Sequence, residues 1–144
     1  MTLPIVYHPD YELSLKPGHR FPMSKYGYLR QRLATLGLAP PGGFFAPVEA
    51  GAEVIGLAHD AAYAERVFTQ TLAPDEVRRI GLPNSPRLTR RVRLSAAGTT
   101  LAARLALEHG LALNAAGGSH QSKKSTSGRL AHHFSAYSKG WMLG

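Results

Sequence analysis

Apolar residues along the chain fall into short blocks set apart by proline and glycine, and the spacing inside each block predicts an element. Leu3 to His8 (LPIVYH) is β-branched and aromatic and reads as a strand, closed by Pro9, which cannot donate to a ladder. His8-Pro9-Asp10-Tyr11 is then a turn, and a polar loop runs through Lys16-Pro17-Gly18-His19 to Phe21-Pro22. Ser24 is a suitable N-cap for a helix over Lys25 to Leu36, with Tyr26, Leu29, Leu33 and Leu36 on one face. Arg30, Gln31 and Arg32 turn mostly outward, and Gly37 stops the helix. Pro40-Pro41-Gly42-Gly43 breaks the chain. Glu53 to Leu57 reads as a second strand, and Asp60 caps a helix through Phe68 that buries Tyr63, Val67 and Phe68. Pro74-Asp75-Glu76 opens a helix that Gly81 ends, with Leu82 to Pro86 as a rigid connector. From Arg87 the pattern is helical for about two dozen residues. Leu94, Ala97, Leu101 and Leu105 share one face, Gly98 divides the stretch into two helices, and Gly110 stops it. Leu111 to Ala116 reads as a buried strand. The resulting order of strand, helix, strand, helices and strand predicts an α/β protein with a mostly parallel sheet.

That last strand runs into the stretch with the most chemistry, Leu111 to Gln121 (LALNAAGGSHQ). An apolar run breaks on small residues, Gly117 and Gly118 allow a sharp turn, and Ser119 and His120 are delivered at its end. Many α/β enzymes place a catalytic group at such a strand end.

Composition narrows the classes. At 144 residues the chain holds one domain with a real core, and its 44% apolar content is ordinary for a globular protein. No cysteine is present, which excludes disulfides and thiolate metal sites. No secretory leader and no run of membrane-spanning length is evident, so a soluble cytoplasmic protein is expected. The formal charge of +8 permits nucleic-acid binding. Arg78, Arg79, Arg87, Arg90, Arg91 and Arg93 form one basic group, and Lys123, Lys124 and Arg129 another. No aromatic residues interleave with the first group to stack on bases, and it is expected to be a solvated face. His8 and Asp10 could in principle ligate a metal, but a strand-end histidine and a turn-forming aspartate account for them as well.

Several short motifs, in order, resemble the histone deacetylase-like family in its class IV-like, bacterial branch. They are His8-Pro9-Asp10-Tyr11, Phe21-Pro22-Met23-Ser24-Lys25-Tyr26, His59-Asp60-Ala61-Ala62-Tyr63, Arg79-Ile80-Gly81-Leu82-Pro83 and Gly98-Thr99-Thr100-Leu101-Ala102-Ala103. The glycine-rich strand end follows them. The resemblance spans residues 3 to 120 and implies an incomplete arginase/deacetylase-like three-layer αβα fold with a mostly parallel sheet. It implies zinc amidohydrolase chemistry on acetyl-lysine or a small acetylated amine. In that family an Asp-x-His pair and a further aspartate hold the zinc, a histidine of a tandem pair is the base, and a tyrosine from a glycine-rich loop polarises the carbonyl.

The departures are as specific as the match. His120 falls on the first histidine of the tandem pair, and Gln121 stands where the second belongs, where glutamine cannot accept a proton. The chain has three aspartates, Asp10, Asp60 and Asp75, and none is followed two residues later by histidine. The zinc ligands and the tyrosine loop are therefore missing, and the chain is expected to bind no zinc and to be inactive alone. Residues 1–121 form the deacetylase-like portion. Residues 122–144 form a basic tail without acidic residues, read as a solvated segment or an out-of-frame continuation, which sequencing of the locus would test. His132-His133 lies after Leu130-Ala131 rather than after a Gly-Gly strand end and is read as accidental; Phe134, Tyr137, Trp141 and Met142 could cover a sheet edge. A truncated sheet leaves a strand edge unpaired, which invites a partner or self-association. The alternative function is a small basic module contacting nucleic acid, which the absence of a recognition motif disfavours.

Overall fold

Position 86 begins the longest element of the computed structural model, which describes residues 3–116. The elements are β1 (Ile5–Val6), a 3-10 turn (Pro9–Tyr11), α1 (Lys25–Thr35), α2 (Ala52–Gly56), α3 (Ala61–Phe68), α4 (Pro74–Ile80), α5 (Pro86–His109) and β2 (Leu113–Asn114). Helix α5 starts where proline costs nothing, at the first helical position. There Ser85 Oγ accepts a hydrogen bond from the Leu88 N–H at 3.2 Å. It ends at Gly110, whose φ of 82° is a conformation other residues adopt only under strain. Between these caps it buries Leu88, Val92, Leu94, Ala102 and Leu105.

The helix connects two parallel strands. Ile5 pairs with Leu113 and Val6 with Asn114, held by Leu113 N–H to Pro4 O at 2.9 Å and Ala115 N–H to Val6 O at 2.8 Å. On its other edge β1 meets Phe45: Phe45 N–H donates to Ile5 O and Tyr7 N–H to Phe45 O, at 3.0 and 2.9 Å. Strand β1 is thus bonded on both edges, and Val6 is fully buried against Ala102 and Leu105 of α5. Burial of a valine of this kind stabilises the fold by roughly 1.5–3 kcal/mol. The main core gathers Ile5, Tyr7, Tyr11, Leu13, Met23 and Tyr26 with Leu88, Val92 and Leu94. Tyr11 lies edge-on to both Tyr7 and Tyr26, with ring centroids 5.9 and 6.4 Å away. A second cluster joins Ala50, Ile55 and Ala64 and seats α2 against α3.

This architecture corrects the expected fold class. About half of the described residues are helical, and the strands amount to two residues each. That is not a three-layer αβα arginase/deacetylase-like fold with a substantial parallel sheet. The stretches read as strands overestimated pairing. Leu3 to His8 pairs only at its centre, because Pro4 has no N–H and Pro9 starts the 3-10 turn. Leu111 to Ala116 contracts to Leu113–Asn114; Leu111 is 57% exposed and Ala115–Ala116 turn away.

Glu53 to Leu57 is not a strand but the body of helix α2. An apolar run of this length fits either period, and the structure buries Ile55 while leaving Val54 and Leu57 in solvent. Gly98 does not divide α5, which runs unbroken for 24 residues. Helix α1 buries Tyr26 but leaves Leu29 and Leu36 exposed, and Arg30, exposed as expected, also lies over the rings of Tyr7 and Phe44. Ser24 precedes α1 in helical conformation without a side-chain capping bond. The caps at Asp60, Gly81 and Gly110 and the stop at Gly37 are as expected. No helix among the described residues is long and apolar enough to cross a membrane. The expected boundary at residues 121 and 122 lies outside the described residues.

Candidate functional site

Residues from motifs a hundred positions apart meet behind the end of β2. His8 begins the arrangement: its Nδ1 accepts the Asp10 N–H at 3.0 Å, and Pro9 fixes the first φ of the 3-10 turn. The turn drives the Tyr11 ring fully into the core, where its hydroxyl donates to Asn114 Oδ1 at 3.0 Å. Burial pushes the Tyr11 phenol well above its ordinary pKa, so it remains a neutral donor.

Asn114 uses both ends of its amide. Its Nδ2 donates to Thr99 Oγ1 at 3.2 Å and to Ser95 O at 3.4 Å, both on α5. Its Oδ1 accepts, besides Tyr11, the N–H of Ala116 at 3.1 Å. One side chain therefore ties the 3-10 turn, the middle of α5 and the turn that follows β2. Gly98 makes the junction possible. A methyl there would fall well inside van der Waals contact of Tyr11 Oη and 3.0 and 3.1 Å from the amide atoms of Asn114. Continuous helix with a glycine at its centre is the outcome: the residue is required by what packs against it, not by its own backbone.

Arg91 closes the junction from the other side. Its Nε donates to Tyr11 O at 2.7 Å and its Nη2 to Tyr26 Oη at 2.8 Å, with the guanidinium 5.3 Å from the Tyr26 ring centroid. Arg90 reaches Asp10 Oδ2 at 2.6 Å and is ion-paired with Glu49. Arg93 pairs with the same Glu49 at 3.1 Å and donates to Ala50 O at 2.7 Å. The hydrogen bond from Arg90 holds the Asp10 carboxyl below the usual carboxylate range. The expectation of a solvated arginine face is therefore corrected at Arg91 and Arg93, which are half-buried and engaged with the protein, while Arg90 pairs with Asp10 and Glu49 but stays exposed. They fasten the 3-10 turn, α1 and the loop before α2 onto the first turns of α5.

His8 and Asp10 thus serve as a turn cap and an ion-pair partner. Among the described residues no group of three or more histidine, cysteine, aspartate or glutamate side chains lies close enough to hold a metal. The described donors do not fit a zinc site. Ser119, His120, Gln121, His132, His133 and the basic residues Lys123, Lys124 and Arg129 lie outside the described residues.

What the junction does is positional. It holds Ala115 and Ala116, both buried, immediately before the Gly117-Gly118-Ser119-His120 sequence. Asn114, Gly98 and Arg91 are the residues that sequence reasoning missed as a unit. Each carried a signal: a polar residue inside an apolar run, a glycine inside a long helix, and an arginine one turn from a buried face.

No family model matches the chain. It is 38% identical over 143 residues to an uncharacterized protein of the cyanobacterium Picosynechococcus sp.. The match covers 99% of this chain and 44% of that protein, so the chain spans less than half the length of this relative.

Proposed function

We propose that this chain is one part of a histone deacetylase-like zinc amidohydrolase and does not turn over substrate alone. In this reading it supplies the segment that fixes the strand end leading to His120. The observation that supports it is the convergence at Asn114. Tyr11, Tyr26 and Gly98, which stand in three of the motifs carrying the resemblance, are brought together there by Arg91 and Asn114. The substrate class is an acetyl-lysine side chain or a small acetylated amine, and the reading keeps the cytoplasmic location expected from the sequence. Inactivity follows from the residues themselves. Gln121 cannot act as a base, and the chain holds no Asp-x-His pair to bind the zinc that would activate water.

The test compares two purified proteins supplied with zinc, this chain and the longer Picosynechococcus relative, on a fluorogenic acetyl-lysine peptide and on acetylated polyamines. Turnover by the relative that is lost on chelation, with none by this chain, is expected. A relative that binds no zinc and cleaves none of these amides would refute the reading, as would zinc-dependent turnover by this chain.

A further inference from the structure

We infer that the outer face of α1 binds single-stranded nucleic acid. Tyr28 is the platform on which a base stacks, and Lys25 and Arg32 hold the phosphates on either side. Charge distribution is the first observation. Between Glu12 and Glu49 the chain carries Lys16, Arg20, Lys25, Arg30 and Arg32 and no acidic residue. All five are exposed, and none forms an ion pair among the described residues. By contrast Arg66 holds Glu76, Arg79 holds Asp75, and Arg90 and Arg93 hold Glu49. Glu12, the carboxylate bordering the basic segment, accepts the Gly27 N–H instead. No side chain beyond Glu108 in the sequence is acidic, so the end of the chain brings no carboxylate side chain to neutralise this face. The second observation is geometric. Lys25, Tyr28 and Arg32 are spaced by three and four residues and share one face of α1, about 10 Å long. Tyr26 and Leu33 pack into the core from the other side. Tyr28 is 69% exposed, which leaves its ring open to a ligand. The Lys25 ammonium lies 4.8 and 5.1 Å from the ring centroids of Phe21 and Tyr26, which fix its place without neutralising it.

Single-stranded nucleic acid is the polyanion that this combination fits. An unpaired base offers a flat face to an aromatic ring while its flanking phosphates meet cations. Bases in a duplex are stacked on one another and closed to Tyr28. An anionic membrane selects a helix with cations and apolar residues on opposite faces, whereas the apolar face of α1 is already buried in the core. An acidic peptide would satisfy the charges but would give the exposed ring nothing to stack on. The arginines that begin α5 lack both features, since Arg90, Arg91 and Arg93 are committed to acceptors within the protein and no aromatic residue interleaves with them.

Fluorescence anisotropy of a labelled oligouridylate of about 12 nucleotides, titrated with the full chain, tests this. Binding should weaken steeply with added salt. Tyr28→Ala changes no charge and should weaken binding about tenfold, whereas Tyr28→Phe should stay within about twofold, because the ring and not the hydroxyl stacks. Lys25→Gln/Arg32→Gln should lower both the affinity and its salt dependence. Lys123→Gln/Lys124→Gln removes the same charge from the other basic group and should leave the effect of Tyr28→Ala unchanged. The α1 positions are exposed, and far-UV circular dichroism would verify that the variants keep the fold. Absence of binding, or binding indifferent to Tyr28→Ala, would overturn the inference, as would equal affinity for a duplex of the same length. A polyglutamate peptide bound as tightly and through the same residues would also overturn it, making the face a site for acidic protein segments. Neither activity nor inactivity toward acetylated amines bears on the result.

Discussion

Replacing Gly98 with alanine separates the junction described above from ordinary helix energetics, because the two predict opposite signs. At an unencumbered position inside a helix such as α5, Gly→Ala stabilises by about 0.8–1 kcal/mol, since alanine gives up less backbone freedom on folding. Here the added methyl meets Tyr11 Oη and the Asn114 amide, and Tyr11 is fully buried with no space into which to retreat. Overpacking of a filled core costs about 1–3 kcal/mol. Displacing the Tyr11 hydroxyl also loses its hydrogen bond to Asn114, about 1 kcal/mol more. Against the propensity gain, the net effect is a loss of about 1–3 kcal/mol. Urea denaturation followed by far-UV circular dichroism would measure it, with Tyr11→Phe and the Tyr11→Phe/Gly98→Ala double variant alongside. Removing the hydroxyl removes the nearest obstacle, so Gly98→Ala should cost at least about 1 kcal/mol less in the Phe background. A stabilising Gly98→Ala in the unaltered chain, or an identical cost in both backgrounds, would refute the argument.

Further outcomes follow from the same contacts. Arg91→Ala, which loses donors to Tyr11 O and Tyr26 Oη, should lower stability in the same assay by about 2–3 kcal/mol. Arg91→Lys should recover less than half of that, because an ammonium cannot span both acceptors as the planar fork does. Asp60→Ala removes the acceptor for the Tyr63 N–H at 2.9 Å and should cost about 1 kcal/mol, read as a lower urea midpoint. Because the Asp10 pKa is depressed in the folded state, its contribution is fully present above the unfolded value of 3.8 and fades as pH falls through the lower folded value. Urea midpoints should therefore decline below about pH 4, and Asp10→Asn should flatten that decline slightly, the carboxylate being more than a third exposed.

Helix caps and stops were legible because they depend on neighbours a few residues away. Asp60 reaches Tyr63, Ser85 reaches Leu88, and Gly37, Gly81 and Gly110 take the positive φ that ends a helix. Strand extent was not legible, because pairing is decided by residues far apart in the chain. Val6 finds Asn114 and Phe45 across separations that no local pattern encodes. The segment around Val54 and Ile55 shows the ambiguity directly: its β-branched pair favours a strand in isolation, and packing of Ile55 beside Ala50 and Ala64 makes it helix. The arginine-rich start of α5 misled for a related reason. Charge counts suggest solvent, whereas the acceptors for Arg90, Arg91 and Arg93 come from Asp10, Tyr11, Tyr26, Glu49 and Ala50, none of them on the helix.

The same distinction separates what the motifs retain from what they lack. Tyr11, Gly98 and Asn114 constrain one another sterically: the ring fills the space that glycine leaves, and the amide bridges ring and helix. Such a set holds a strand end in place whatever chemistry follows it. Proton transfer makes no such structural demand. The packing of Tyr11, Gly98 and Asn114 therefore fixes a strand end by shape alone, and it neither requires nor supplies a group that transfers a proton.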